Sequence, residues 1–384
     1  MDEQNNKPIR VLIVDGKLIS GGAEAFIMNV YRHIDRNVIQ FDFLVHYKDR
    51  FFYDDEVERL GGKIFRLSFR NDHNIIKYIH ELKIFFNSHK EYDVVWGHMD
   101  GLAPIYLKIA KTCGMKCTIA HSHIDHSEKT FKGVIKSLLR RNISKYADYR
   151  FACSSLSGKY LFGKGDFHVI PNAIDVKKFS FNGSVRNRIR DINKWNESIV
   201  IGHVGRFFSQ KNHSFIIEVF RHIAQLNDKF VLCLCGDGDD RVNIEKKVKE
   251  YGLSDKVLFT GSIHNINEYY QAFDLFILPS LYEGLPVSGI EAQTSGLKCI
   301  FSDTITPEAC FIKDNVTYLP ITPNSEILWA NKIIELSNYT RKDMSMVICD
   351  KGYSIDYLAK KLTIFFTTLD IKNLSLFKNH ESFS

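Results

Sequence analysis

Short, nearly unbroken apolar runs recur along the chain, each followed by a Gly- or Ser-containing turn and then a stretch with helical spacing. VLIVDG (11–16) precedes a helix predicted near 23–34, and DVVWGH (93–98) precedes one near 101–112. In the second half the runs are SIVIGHVG (198–205), FVLCLCG (230–236), KVLFTG (256–261), DLFILPS (274–280) and KCIFS (298–302). Runs that are continuous rather than alternating fit strands covered by helices on both faces. Strands alternating with helices predict parallel sheets, with ligand sites at the strands' carboxyl ends. The rhythm breaks over 171–195, PNAIDVKKFSFNGSVRNRIRDINKW, which is polar and without clear period. A linker is expected there, between two doubly wound Rossmann-like α/β domains at 1–172 and 173–353. The stretch SIDYLAKKLTIFFTTLD (354–370) has a helical period, and 371–384 is a weakly patterned tail.

Composition narrows the class. With 384 residues, 45% hydrophobic and 25% charged, the chain is ordinary globular material and neither disordered nor fibrous. Eight unevenly scattered cysteines are few for this length and argue for reduced thiols in a cytosolic setting rather than a disulfide framework. The start, MDEQNNKPIR, lacks the pattern of a signal peptide. No apolar stretch reaches the roughly 18 uncharged residues that a membrane-spanning helix needs.

Charge is uneven. Residues 1–180 carry 28 Lys/Arg against 21 Asp/Glu, a balance of +7, whereas 181–384 carry 23 against 24, a balance of −1. The first half is therefore expected to meet something anionic. Within it, FKGVIKSLLRRNISKYADYR (131–150) reads as an amphipathic helix with Phe131, Val134, Ile135, Leu138, Leu139 and Ile143 on one face. Lys129, Lys132, Lys136, Arg140 and Arg141 would make its basic side an acceptor- or membrane-facing surface. An ordinary surface helix is the equal alternative.

Three segments carry candidate chemistry. In YEGLPVSGIEAQTSG (282–296), Glu283 and Glu291 flank a predicted helix start, with Pro286 suited to its first position. Glu291 would then lie about one and a half turns inside. Carboxylates accept hydrogen bonds from sugar or ribose hydroxyls, and free amides at a helix start suit a diphosphate. In IGHVGRFFSQKNH (201–213), a strand leads to Gly205, then Arg206 and Lys211, then a helix from about Asn212. Two fixed cations there form a cradle for a diphosphate. In ISGGAEAFIMNVYRHI (19–34), Gly21 and Gly22 permit close approach of a phosphate or sugar, although the string is not GxGxxG.

Together these strings resemble the retaining nucleotide-sugar glycosyltransferases of the GT4 type, which have the GT-B fold. The resemblance rests on GGAE (21–24), GRFFSQKN (205–212) and the E-x7-E element EGLPVSGIE (283–291), supported by VIPNAID (169–175), CGDGDD (235–240) and VLFTGS (257–262). It covers roughly 10 to 370, and IAHSH and SDTITPEA look most like bacterial capsular, exopolysaccharide or O-antigen enzymes. It implies two Rossmann-like domains facing a central cleft, with 354–370 packing back on the first. It also implies roles. Arg206 and Lys211 would neutralise the departing diphosphate, and Glu291 would hold the ribose hydroxyls. Glu283, helped by the segment Gly284, Leu285, Pro286 and Val287, whose N–H groups other than the proline position can donate, would sit at the donor sugar's hydroxyls. Gly21, Gly22, Gly205 and Gly261 would line the donor phosphates. The implied reaction moves a hexose or N-acetylhexosamine from a UDP-sugar to a lipid-linked saccharide, without a metal cofactor, at the inner face of a bacterial plasma membrane; nucleic acid is not an expected partner.

Histidines need separate weighing. CTIAHSHIDH (117–126) places His121 and His123 at a strand end, where a family histidine faces the donor sugar and could assist proton movement from the acceptor hydroxyl. Polar positioning is an equal alternative to that proton role, and a core histidine is the simpler reading of His121. Cys113 and Cys117 beside these histidines lack C-x2-C spacing, so no metal site is expected. Competing readings are an epimerase or phosphorylase of the same shape, a nicotinamide enzyme, and a non-catalytic binding protein. The nicotinamide reading lacks GxGxxG and its acidic ribose ligand. The intact Arg206, Lys211, Glu283 and Glu291 disfavour a non-catalytic protein.

Overall fold

A computed structural model describes residues 7–123 and 142–372. Contacts divide the chain into two compact units. The first holds the chain up to Ala173, apart from Ser20–Gly22, and the segment from Ile355; the second holds Ile174–Ser354, with Ser20–Gly22 grouped with it.

The first unit is built on a parallel sheet of seven described strands. They are β1 (Ile9–Val14), β2 (Ile39–Val45), β3 (Ile64–Arg66), β4 (Tyr92–Gly97), β5 (Cys117–Ser122), β6 (Tyr149–Ala152) and β7 (His168–Val169), in the order β3-β2-β1-β4-β5-β6-β7. The second unit has six: β8 (Ile199–Val204), β9 (Phe230–Cys235), β10 (Val257–Gly261), β11 (Leu275–Leu278), β12 (Lys298–Ser302) and β13 (Val316–Leu319), in the order β10-β9-β8-β11-β12-β13. In both, the order reverses beside the first strand of the unit, between β1 and β4 and between β8 and β11. That is where a doubly wound sheet opens a crevice at its carboxyl ends.

The continuous apolar runs have a direct cause. Side chains alternate across a strand, so Val11 and Ile13 enter one core and Leu12 and Val14 the other. In the second unit Ile201, Leu232 and Ile277 face one core while Val200, Cys233 and Phe276 face the opposite one. Both faces are covered, so neither set can be polar. The helix Ile355–Thr368 sends Leu358, Leu362, Phe365 and Phe366 into the first unit's core beside Phe41 and Trp96. No helix among the described residues is long and apolar enough to cross a membrane.

Two sequence expectations need correction. The supposed linker over 171–195 contains the helices Val176–Phe179 and Gly183–Asn193, and both belong to the second unit. The longer one puts only a narrow apolar stripe, Val185 and Ile189, on the second unit's core, and charge adds to its hold: Arg186 and Arg190 both pair with Asp274. Of the segment read as a helix over 131–150, the described residues hold only the short helix Ile143–Tyr146, and Tyr149–Ala152 is β6, paired between β5 and β7. Residues 131–141 lie outside the described part of the chain, as do Lys129, Lys132, Lys136, Arg140 and Arg141 of the expected basic surface.

Candidate active site

In the second unit β8 and β11 are neighbours, so the loops that follow them run side by side. They are tied together: Leu281 N–H donates to the Gln210 carbonyl at 2.8 Å, and Gln210 Nε2 donates to the Tyr282 carbonyl at 2.9 Å. Lys211 sits in the short turn Ser209–Lys211 and reaches across to Glu283, Nζ to Oε1 2.5 Å. The two side chains are only 17% and 9% exposed, so water screens this pair little. Arg206 lies over the Phe208 ring, 5.2 Å from its centroid. The described residues give Arg206 no carboxylate ion pair, which leaves its charge for an anion.

Glycines let these loop ends meet. The Gly205 N–H donates to the Cys235 carbonyl, and the Gly236 N–H donates to the Gly261 carbonyl at 3.0 Å. Gly236 has φ +141°, and a Cβ there would stand 2.1 Å from the Gly205 carbonyl oxygen. Only glycine fits so close to the strand end.

The helix predicted after Glu283 spans Val287–Thr294. Pro286 caps it from outside, in an extended conformation (φ −70°, ψ 112°), instead of occupying its first position. Glu291 is therefore the fifth residue, just over one turn inside. Its Oε2 accepts a 2.9 Å hydrogen bond from the Tyr270 hydroxyl, and burial pushes its carboxyl up to about 7 despite that bond. The first amides of this helix precede any intrahelical acceptor.

The shifted carboxyl makes a prediction. Between the ordinary value of 4.5 and about 7 the native state holds a proton that the unfolded chain has released. Glu291 thus favours folding below that window and loses its contribution as pH rises through it, by ~3 kcal/mol in all. Relative to Glu291→Gln, the wild type should be weaker at pH 7.5 than at pH 4.5, as urea denaturation at both values would reveal. A difference independent of pH would contradict this assignment.

In the first unit, His121 lies on β5 and His123 just beyond it. His121 is buried against Trp96 and 4.2 Å from the His123 ring, centroid to centroid. A third imidazole that sequence reasoning missed joins them: His98, with Nδ1 2.8 Å from His123 Nε2. Burial pushes His98 and His121 well below the ordinary range and His123 down to about 3, so all three are neutral at pH 7. The signal for His98 was its place after the run DVVWG, matching that of His121 at the end of its own run. Pairing of β4 with β5 was needed to bring them together. Tyr270 was missed too, since nothing local marks it as the partner of Glu291.

Gly22 is the first residue of the helix Gly22–His33, and a Cβ there would meet nothing within 4 Å. Gly21 precedes it in the same loop. Gly284 and Leu285 lie between Glu283 and the cap.

Comparison with known proteins settles the class. Residues 185–348 match the family model described as glycosyl transferases group 1. A putative glycosyltransferase of Bacillus subtilis, EpsF, is 32% identical over 98% of this chain and 99% of its own length. The chain belongs to the group 1 glycosyltransferases. A second relative of this glycosyltransferase is the Escherichia coli UDP-Gal:alpha-D-GlcNAc-diphosphoundecaprenol alpha-1,3-galactosyltransferase, 26% identical over 65% of this chain and 67% of the other. Among solved structures, Anabaena HepE in complex with UDP and glucose matches with a TM-score of 0.77 at 16% identity, over 94% of this chain and all of that one. At that identity the likeness speaks for the GT-B fold, which the two parallel-sheet α/β units share.

Proposed function

We propose that this glycosyltransferase moves a hexose or N-acetylhexosamine, with retention, from a UDP-sugar to a lipid-linked saccharide during assembly of a bacterial surface polysaccharide. The observation that carries the donor assignment is the gathering of Arg206, Lys211, Glu283 and the start of the helix Val287–Thr294 at the carboxyl ends of β8 and β11. A nucleoside diphosphate needs fixed positive charge at its phosphates and acceptors at its hydroxyls, and these residues supply both.

In the proposed reaction Arg206 and Lys211 stabilise the charge that develops on the leaving diphosphate, so protein cations do the work a metal does elsewhere. Glu291 accepts from the ribose hydroxyls and Glu283 from those of the donor sugar. Gly21 and Gly22 leave room for the phosphates. In this scheme the acceptor hydroxyl attacks the face that the diphosphate vacates: the bond from the sugar carbon to the diphosphate oxygen breaks, the new glycosidic bond forms, and the hydroxyl proton leaves with the diphosphate.

The acceptor class draws support from the E. coli relative, whose name specifies a diphosphoundecaprenol substrate. The amylovoran biosynthesis glycosyltransferase AmsD of Erwinia amylovora, 31% identical over 40% of this chain, supports the polysaccharide setting. A lipid diphosphate acceptor would place the enzyme at the inner face of the plasma membrane, where the excess positive charge of residues 1–180 has a role.

The test is transfer from labelled UDP-glucose, UDP-galactose and UDP-N-acetylglucosamine to an undecaprenyl diphosphate saccharide. One donor should yield labelled lipid product, with UDP release that depends on the acceptor. Conversion of the donor without any acceptor would instead favour an epimerase.

A further inference from the structure

We propose that His98, His121 and His123 form a three-imidazole binding site for a divalent transition-metal ion of the zinc class. The topology explains why these three converge. β4 and β5 pair in parallel with Gly97 beside Ala120, so one step further His98 comes alongside His121. His121 and His123 are two residues apart at the end of a strand, which turns both to the same side. One ring from one strand and two from its neighbour thereby share a small volume.

The geometry suits an ion. One ring nitrogen from each histidine lies within 4.8 Å of the others, and the shortest separation, His98 Nδ1 to His123 Nε2, is 2.8 Å. Zinc–imidazole bonds of about 2.0–2.1 Å set tetrahedral ligand atoms a little over 3 Å apart, within reach of side-chain rotation alone. Four ring nitrogens of this cluster, His98 Nε2, both of His121 and His123 Nδ1, have no hydrogen-bond partner among the described residues. Buried polar atoms are nearly always paired, so such a concentration points to a ligand. Burial that keeps the imidazoles neutral keeps their lone pairs available. Three imidazoles also match the preference of zinc and its neighbours for nitrogen donors, leaving a fourth position open to water. An aromatic stack with Phe26 and Trp96 accounts for the ring contacts but gives neither nitrogen of His121 a partner, whereas an ion would take one nitrogen from each of the three rings.

This ion has no part in neutralising the donor diphosphate, which the proposed function gives to Arg206 and Lys211. The site rests on the first unit alone and stands or falls independently of the donor assignment.

The experiment uses the full chain, stripped with a chelator and titrated calorimetrically with Zn2+. Co2+ serves as a second probe whose visible absorption reports tetrahedral nitrogen ligation. The expected result is one ion per chain, with affinity falling at least about 100-fold in His98→Ala and in His123→Gln, more than loss of an outer hydrogen-bond partner costs. His123→Gln alters the least buried ring, so it keeps the test valid if His98→Ala fails to fold. His80→Ala, at an exposed histidine, should bind as the wild type does. No binding, or binding unchanged in His123→Gln, would overturn the proposal.

Discussion

Replacing Lys211 with methionine should lower kcat/KM by about 10²- to 10³-fold, the usual loss when a preorganised charge is removed from a leaving group. It should also destabilise the second unit, because Glu283 would be left in a largely buried place without its cation. Breaking such a pair from one side costs ~3 kcal/mol or more. The double substitution Lys211→Met with Glu283→Gln removes both charges and should recover most of the melting temperature while transfer stays low. That split separates chemistry from folding. Near wild-type turnover in Lys211→Met would remove Lys211 from the proposed mechanism, and equal melting of the single and double variants would remove the ion pair from the account of stability.

The second large effect belongs to Gly236. A methyl group there meets the Gly205 carbonyl oxygen at 2.1 Å, on a backbone whose φ of +141° already excludes side chains. Gly236→Ala must push the Arg206 loop off the end of β8, and a cost of ~4 kcal/mol or more is expected, in the range reserved for severe backbone and packing conflicts. Gly252 offers the comparison. It also has positive φ, +67°, but a Cβ there meets nothing within 4 Å, so Gly252→Ala should cost only ~1–2 kcal/mol. Calorimetric melting of both variants checks the ranking. Comparable losses would mean that the contact with Gly205 is unimportant and that dihedral strain alone governs both.

The fold was legible wherever burial is two-sided. VLIVDG, DVVWGH, FVLCLCG and DLFILPS are apolar on alternate faces because each face has its own core, and the sequence pattern follows directly. It failed where charge supplements a thin apolar contact. The helix Gly183–Asn193 sets only Val185 and Ile189 on the core and is held besides by Arg186 and Arg190 on Asp274, so its hydrophobic period is too thin to register. Short strands such as β6 and β7 carry too few residues for a period to declare itself.

The candidate site divides in the same way. GRFFSQKN and EGLPVSGIE follow strand runs, so their placement at strand ends could be read along the chain. Which residues touch could not. The pairing of Lys211 with Glu283 spans 72 positions, that of Tyr270 with Glu291 spans 21, and that of His98 with His123 spans 25. Those contacts depend on strand order and register, and strand order is a property of the folded sheet.

The central claim is that the ends of β8 and β11 cradle a nucleoside diphosphate. Calorimetric titration of UDP into the wild type, Arg206→Ala and Glu291→Gln, with NAD as the comparison ligand, tests it most directly. The account predicts one UDP site per chain, at least about tenfold weaker in each variant, a difference of ~1.4 kcal/mol or more, and no binding of NAD. UDP binding of equal strength in all three proteins, or binding of NAD in its place, would contradict it.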